Sequence, residues 1–140
     1  MTEIDAILSE LLSATGAGRV TLRQDTPGDV FPVTNEVVGD GARPIKGVAT
    51  PDMARQPVVL QVQQGRQVVQ EDCEAASAEP HFRAMLALYG GLRAQIVTPI
   101  VRDSRVAAIV SLHQLGRTRR WTEDEIAAAS RAAEKVGELL

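Results

Sequence analysis

The chain has 140 residues, the usual size of one domain and enough to bury a single hydrophobic core. Its 44% hydrophobic and 24% charged residues are typical of a soluble globular protein, and its formal net charge of −3 argues against nucleic acid as a partner. No apolar run approaches the roughly twenty residues that cross a bilayer, and no signal peptide is evident. We therefore expect a cytoplasmic protein with no membrane partner, and its one cysteine, Cys73, excludes an internal disulfide.

The first predicted element is an amphipathic helix from Thr2 to Ala14. Its apolar residues fall at helical spacing, and Thr2 with Asp5 gives it a capping box. Residues 19–23 alternate between polar and apolar side chains, which predicts a half-buried strand. Residues 30–38 are expected to return as its hairpin partner.

The middle of the chain contains a long irregular segment. Residues 39–56 are rich in glycine and proline, and a loop of this length in a small domain often covers or builds a binding site. A short helix is predicted at 57–65, a strand at 66–73 and a longer helix at 78–91.

The last third of the chain gives the clearest patterns. Residues 92–115 form two apolar strands joined by the polar turn Arg102-Asp103-Ser104-Arg105, which predicts a hairpin. The closing helix has a complete capping box in Thr122 and Glu125. Its apolar residues form a narrow seam over 122–140.

Three local phrases occur in the order and spacing of one known family. They are QQGRQVVQED (63–72), LRAQIVTPIVRDSRVAAIVSLHQ (92–114) and RRWTEDEIAAAS (119–130). The first resembles the family's short helix, glycine and strand ending in aspartate. The second resembles its central hairpin, and the third the aromatic-Thr-x-x-Glu start of its last helix. The chain is thereby similar to a GAF domain over nearly its whole length, and we expect a single domain from 1 to 140.

This resemblance implies an α+β fold with a central antiparallel sheet of five or six strands. The N- and C-terminal helices are expected to pack on one face of the sheet, and loops to roof a ligand pocket on the other. Members of the family bind cyclic nucleotides, bilins, haem or small metabolites, so the fold implies small-molecule sensing without naming the ligand. The Asn-Lys pair of cyclic-nucleotide-binding relatives is absent, since Asn35 is followed by glutamate.

Seven residues are candidates for ligand contact. They are Asp72, Cys73, Phe82, Tyr89, Arg93, Thr98 and His113. Arg93 is suited either to clamp an anionic ligand or to form a salt bridge at a strand end. His113 lies in a strand whose alternation places it in the pocket or on the surface, and both interpretations stay open. Cys73 follows two carboxylates that raise a thiol pKa, so a packed thiol is favoured over a reactive one.

The sequence favours a small metabolite over a cofactor. Aromatic residues make up only 3% of the chain, few for stacking on haem, flavin or bilin. The helix that carries the bilin-attaching cysteine in relatives reads HFRAMLALYGG here, without cysteine. His81 and His113 are far apart and give no metal-ligand spacing. We therefore predict no cofactor and no metal.

Three functions remain open from the sequence. The first is a stand-alone sensory module that binds a small molecule and acts through a signalling partner. The second is an enzyme on the same scaffold, such as a free methionine sulfoxide reductase, which the single cysteine disfavours because no second thiol closes a disulfide. The third is an interaction subunit whose pocket is filled by its own side chains.

The two terminal helices favour a homodimer. The apolar stripes of residues 2–14 and 122–140 together exceed what one sheet face can cover. Small residues on the last helix allow close helix approach, and two subunits would bury both helix pairs in a four-helix interface.

Overall fold

The computed structural model describes residues 1 to 140. Its elements are α1 (Glu3–Thr15), β1 (Arg19–Gln24), β2 (Val33–Val38), α2 (Pro57–Val62), β3 (Val68–Gln70), α3 (Cys73–Ala76), α4 (Pro80–Leu88), β4 (Leu92–Arg102), β5 (Arg105–Leu115) and α5 (Glu123–Leu139). A short 3-10 helix, Met53–Arg55, precedes α2. The order of elements agrees with the prediction except for α3, a short helix that the sequence did not predict.

The five strands form one antiparallel sheet in the order β2-β1-β5-β4-β3. The predicted α+β fold with a five- or six-stranded sheet is therefore confirmed with five strands. β3 is shorter than the predicted strand at 66–73, because Asp72 accepts hydrogen bonds from the backbone of Glu74 and Ala75 and starts α3 there.

The terminal helices pack together on one face of the sheet, which we call the back. Both begin with the predicted capping box, Thr2 with Asp5 in α1 and Thr122 with Glu125 in α5. The cluster they bury is wholly apolar and includes Leu8 of α1. This face is mainly a source of hydrophobic stabilisation.

The other face of the sheet, which we call the front, is covered by Phe31, by residues 39–56 between β2 and α2, and by α2 and α4. These elements form a roof, and its buried residues, among them Ile45, Val59 and Phe82, pack against front-facing side chains of β4 and β5. The predicted separation of terminal helices on one face and loops on the other is confirmed.

The strand β1 differs from the half-buried strand that its alternation predicted. It pairs with β2 on one side and β5 on the other, so it lies inside the sheet. The roof covers its front, and Arg19, Thr21 and Arg23 are therefore buried there. None of the helices is long and apolar enough to cross a membrane.

Candidate functional site

A row of polar side chains crosses the front of the sheet. Arg19 of β1 is in register with His113 of β5, His113 with Gln95 of β4, and Gln95 with Gln70 of β3. Side chains directly opposite each other in paired strands lie on the same face, so all four point to the front. Gln95 Nε2 donates to Gln70 Oε1 at 2.8 Å, and Arg19 Nε donates to His113 Nδ1 at 3.0 Å.

Arg19 has no exposed surface, yet its charge meets no carboxylate in a salt bridge. Its Nη1 donates to the carbonyl of Arg43 at 2.7 Å and its Nη2 to the carbonyl of Tyr89 at 2.9 Å. Burial lowers the pKa of Arg19 to about 10, and Glu36 opposes this effect. The guanidinium therefore stays charged at neutral pH and ties two segments of the roof to β1.

A second buried guanidinium, that of Arg23, lies on the same face of β1. Its Nη1 donates to the carbonyl of Phe31 at 2.8 Å and its Nη2 to the hydroxyl of Tyr89 at 2.6 Å. The Tyr89 hydroxyl also pairs with that of Thr50. The guanidinium carbons of Arg19 and Arg23 each lie 5.7 Å from the centre of the Tyr89 ring, so the ring faces two cations.

His113 is neutral in this setting. Burial, together with the charges of Arg19 and Arg23, lowers its pKa well below the usual value. Because Nδ1 accepts a hydrogen bond from Arg19, the ring proton lies on Nε2. No protein acceptor is paired with that Nε2–H group, and the imidazole stacks on Tyr89 with 6.0 Å between ring centres.

A cavity of about 40 Å³ lies between this polar surface and the roof. Its polar lining residues are Arg23, Gln56, Tyr89, Gln95, Ser111 and His113. Its apolar lining residues are Met53, Val58, Val59, Val62, Met85, Val97 and Ile109. The combination of several convergent polar groups with an apolar wall is typical of small-molecule sites.

Two buried side-chain oxygen atoms have no hydrogen-bond partner, Thr21 Oγ1 and Gln56 Oε1, and of these residues only Gln56 lines the cavity. Gln56 has only 2% of its surface exposed. Its Nε2 donates to the carbonyls of Pro51 at 2.6 Å and His81 at 3.1 Å, which fixes the orientation of the amide. Leaving such an acceptor unpaired destabilises the folded state by about 1–3 kcal/mol. Gln56 Oε1 is thus an acceptor in the cavity lining that no protein group uses.

A groove of about 690 Å³ lies beside the cavity. It runs under the loop from Lys46 to Ala54 and along residues 28–33. Arg23 and Met53 line both spaces, so they separate the cavity from the groove. A ligand would reach the cavity from the groove past these two side chains.

Four of the seven predicted contact residues lie on the front. Tyr89 and His113 line the cavity. Phe82 and Cys73 are fully buried in the cluster under the roof, without reaching the cavity. Burial, more than the neighbouring Asp72, raises the pKa of the Cys73 thiol to about 12, so this thiol is not a nucleophile at neutral pH.

The other three predicted residues lie away from the cavity. Asp72 caps α3 and pairs with Arg93 at 3.3 Å, and Arg93 also pairs with Glu74 at 3.6 Å. Hydrogen bonds from Arg93 and the α3 backbone lower the pKa of Asp72 against the opposing effect of desolvation. Thr98 faces the back, where its hydroxyl accepts a hydrogen bond from Gln67.

The sequence interpretation missed most of the polar lining. Arg23, Gln56, Gln95 and Ser111 line the cavity but were not among the candidates, and neither was the buried Arg19 beside them. The available signal was the alternation of polar and apolar residues in RVTLR (19–23). Its polar side chains were expected to face solvent. No cluster of three or more metal-binding side chains is present.

Comparison with known proteins agrees with this architecture. The sequence model of the GAF domain matches residues 2–140, which is nearly the whole chain. The chain belongs to the GAF domain family. No curated protein is significantly similar to it in sequence.

Several solved GAF-type structures have the same fold. A cyanobacteriochrome receptor PixJ structure is 23% identical over 97% of this chain and 91% of its own, with a TM-score of 0.82. The blue-light-absorbing PixJ GAF domain of Thermosynechococcus elongatus is 23% identical over 97% of this chain and 83% of its own, with a TM-score of 0.79. A far-red-absorbing dark-state structure with bound biliverdin IXa is 18% identical over 99% of this chain and 89% of its own, with a TM-score of 0.78.

The prediction that this chain takes no cofactor is wrong, because it is contradicted by a structure of the same fold that holds a bilin. The biliverdin-bound structure superimposes on nearly the whole chain, so the scaffold accommodates a large chromophore. The prediction relied on the low aromatic content, but buried arginine, histidine and amide groups also supply contacts to a ligand. A shortage of aromatic residues is therefore no ground for excluding a cofactor.

We predict that His113 makes stability depend on pH above the range in which carboxylates titrate. The unfolded histidine takes up a proton as the pH falls through about 6.5, whereas the folded one resists protonation. The free energy of unfolding should therefore fall below pH 6.5, by at most about 1.4 kcal/mol per pH unit. His113→Gln keeps an acceptor for Arg19 and should flatten this slope in urea unfolding between pH 7.5 and 5.5. His81→Gln is the control and should keep the wild-type slope. A His113→Gln slope equal to that of the wild type would contradict the prediction.

We predict that Cys73 resists thiol reagents in the folded protein. Raising its pKa from 9.0 to about 12 lowers the thiolate fraction about 1000-fold at neutral pH, and burial blocks access as well. Maleimide labelling followed by mass spectrometry should be negligible at pH 7.5 and complete in urea. The control is Ala75→Cys in a Cys73→Ala background, because position 75 is exposed on the same helix. Native labelling of Cys73 at the control's rate would contradict this.

Proposed function

We propose that this protein is a sensory module that binds a small molecule on the front of its sheet, beneath the roof. The observation that carries the proposal is the unpaired Gln56 Oε1 in the lining of a cavity that also exposes Arg23 and His113. A core with only a packing role would bury apolar groups here, since unpaired polar groups destabilise a fold. A ligand supplies the missing partners.

A path for the signal runs from the polar row to α5. Gln95 contacts Gln70, and the carbonyl of Gln70 accepts a hydrogen bond from Trp121 Nε1 at 3.1 Å. Trp121 immediately precedes the cap of α5. A ligand that shifts His113 and Gln95 would therefore act on the start of α5, which a signalling partner can detect.

We further propose that the module forms a homodimer through residues 2–14 and 122–140. A groove of about 140 Å³ runs between α1 and α5 and is lined by Ile7, Ala14 and Ala128. Glu10 lines one side of the groove, with Arg131 and Lys135 on the other. A second subunit would cover the partly exposed apolar side chains and pair these charges across a two-fold axis.

The binding proposal is tested with one substitution placed at two sites. Val59→Met fills the cavity, whereas Val69→Met adds the same side chain on the exposed face of β3. A metabolite library and biliverdin are assayed by thermal shift and native mass spectrometry. We expect at least one ligand to bind the wild type and the Val69→Met variant, and to bind the Val59→Met variant at least about tenfold more weakly.

Two results would contradict the proposal. Binding that is equal in both variants would place the ligand outside the cavity. The absence of any ligand, co-purified or added, would favour the self-filled pocket instead. Circular dichroism confirms that the variants are folded, and the milder Val58→Ile replaces Val59→Met if that variant unfolds.

The dimer proposal predicts a mass of twice 15.0 kDa in analytical ultracentrifugation. Ala14→Arg places a cation in the groove between α1 and α5 and should yield monomers. Ala84→Arg, on the exposed face of α4, is the control and should stay dimeric. A monomeric wild type, or equal dissociation of both variants, would contradict this proposal.

A further inference from the structure

The charge balance of the front indicates the chemistry of the ligand. Arg19 and Arg23 are buried on one face of β1, and neither forms a salt bridge. Arg19 donates one hydrogen bond from each of its three nitrogens to protein acceptors, and it does not line the cavity. Arg23, in contrast, lines the cavity and has a nitrogen, Nε, that donates to no protein acceptor.

Arg23 retains unused donors beside the cavity. Two of its five N–H groups donate to protein oxygens, and the other three have no acceptor. His113 adds the Nε2–H group, which also lacks an acceptor. A guanidinium fork and a neutral N–H donor that line one cavity match a carboxylate, which accepts hydrogen bonds at both oxygens.

Gln56, unlike Arg23 and His113, needs a hydrogen-bond donor from the ligand. Its Nε2 is committed to two backbone carbonyls, so the amide cannot flip, and Oε1 needs a donor from the ligand. That donor is better supplied by a hydroxyl than by an ammonium group. An ammonium would add a third positive charge near two guanidinium groups and leave the ligand with no net negative charge.

The rest of the wall is aliphatic. Val58, Val59 and Val62 of α2 face Val97 and Ile109 of the sheet across the cavity. These side chains offer dispersion contacts and no hydrogen bonds, so the body of the ligand is a short hydrocarbon chain. The cavity of about 40 Å³ limits that chain to a few carbons unless Met53 moves toward the groove.

We propose that the ligand is a short aliphatic 2-hydroxycarboxylic acid. Its carboxylate pairs with Arg23 and His113, and its hydroxyl donates to Gln56 Oε1. This inference rests on the proposed function, because it specifies the occupant of that same cavity. It explains together the unused donors of Arg23 and His113, the unpaired acceptor and the aliphatic wall.

The test uses calorimetric titration of the wild-type protein with a matched ligand series. The reference is 2-hydroxybutyrate, compared with 2-hydroxybutyramide, butyrate and 2-aminobutyrate. We expect the uncharged amide to bind about 10- to 100-fold more weakly, because it lacks the charge-assisted hydrogen bonds. Butyrate and 2-aminobutyrate should each bind about 5-fold more weakly. From glycolate through lactate to 2-hydroxybutyrate, affinity should rise about fourfold per added carbon.

Variants assign the effect to the cavity. Arg23→Met should remove the preference for acid over amide, whereas Arg66→Met, at an exposed arginine, should leave it intact. If Arg23→Met does not fold, the ligand series in the wild type still decides the question, because it requires no substitution.

The outcomes of the titrations distinguish failure of this inference from failure of the proposed function. Equal binding of acid and amide would overturn recognition of a carboxylate, and equal binding of 2-hydroxybutyrate and butyrate would overturn the role of Gln56. If biliverdin or another library compound binds in the cavity while no hydroxy acid does, this inference fails and the proposed function stands. If no compound binds at all, both fail.

Discussion

The structure depends on holding two guanidinium groups inside a sheet without a carboxylate partner. Arg19 and Arg23 alternate with Val20 and Leu22 on β1, so the same strand presents cations to the front and hydrocarbon to the back. An isolated buried charge is costly, and the fold offsets that cost with carbonyl groups and an aromatic ring. The roof is arranged to provide them.

Apart from His113 Nδ1, the acceptors of these two arginines come from three separate parts of the chain that cover the front. The carbonyls of Phe31, Arg43 and Tyr89 all point at β1, and the Tyr89 ring faces both cations. Irregular segments normally leave backbone carbonyls to water. Here the guanidinium groups fix where the loop from β2 to α2 lies, and they thereby shape the cavity. Burial under the roof and the charges of the same cations keep His113 neutral, so the electrostatics of the site and the position of its roof are linked.

Most of the fold could be predicted because its signals are local. The capping boxes of α1 and α5, the apolar strands of the hairpin and the family's phrases each lie within a few residues of one another. The site could not be predicted in the same way. Alternation in β1 shows that Arg19 and Arg23 share a face, but which face the roof covers depends on pairing with β2 and β5. His113 and Tyr89 were found because histidine and tyrosine are conspicuous, whereas Gln56 carries no local sign of its unpaired oxygen.

The division between the two faces has a consequence for how the protein can vary. The cluster on the back consists of apolar side chains, so its substitution costs follow volume and burial, and it is similar in size to the apolar cluster under the roof. The front contains buried polar groups. The free-energy cost of burying them is offset only if each forms a hydrogen bond. Side chains on the front can therefore change with the ligand while the back keeps the sheet and terminal helices together. A structure with bound biliverdin has the same fold at only 18% identity, so the fold tolerates replacement of most of its side chains. The fold therefore does not identify the ligand. The ligand has to be inferred from the hydrogen-bond partners that Arg23 of β1 and Gln56 lack.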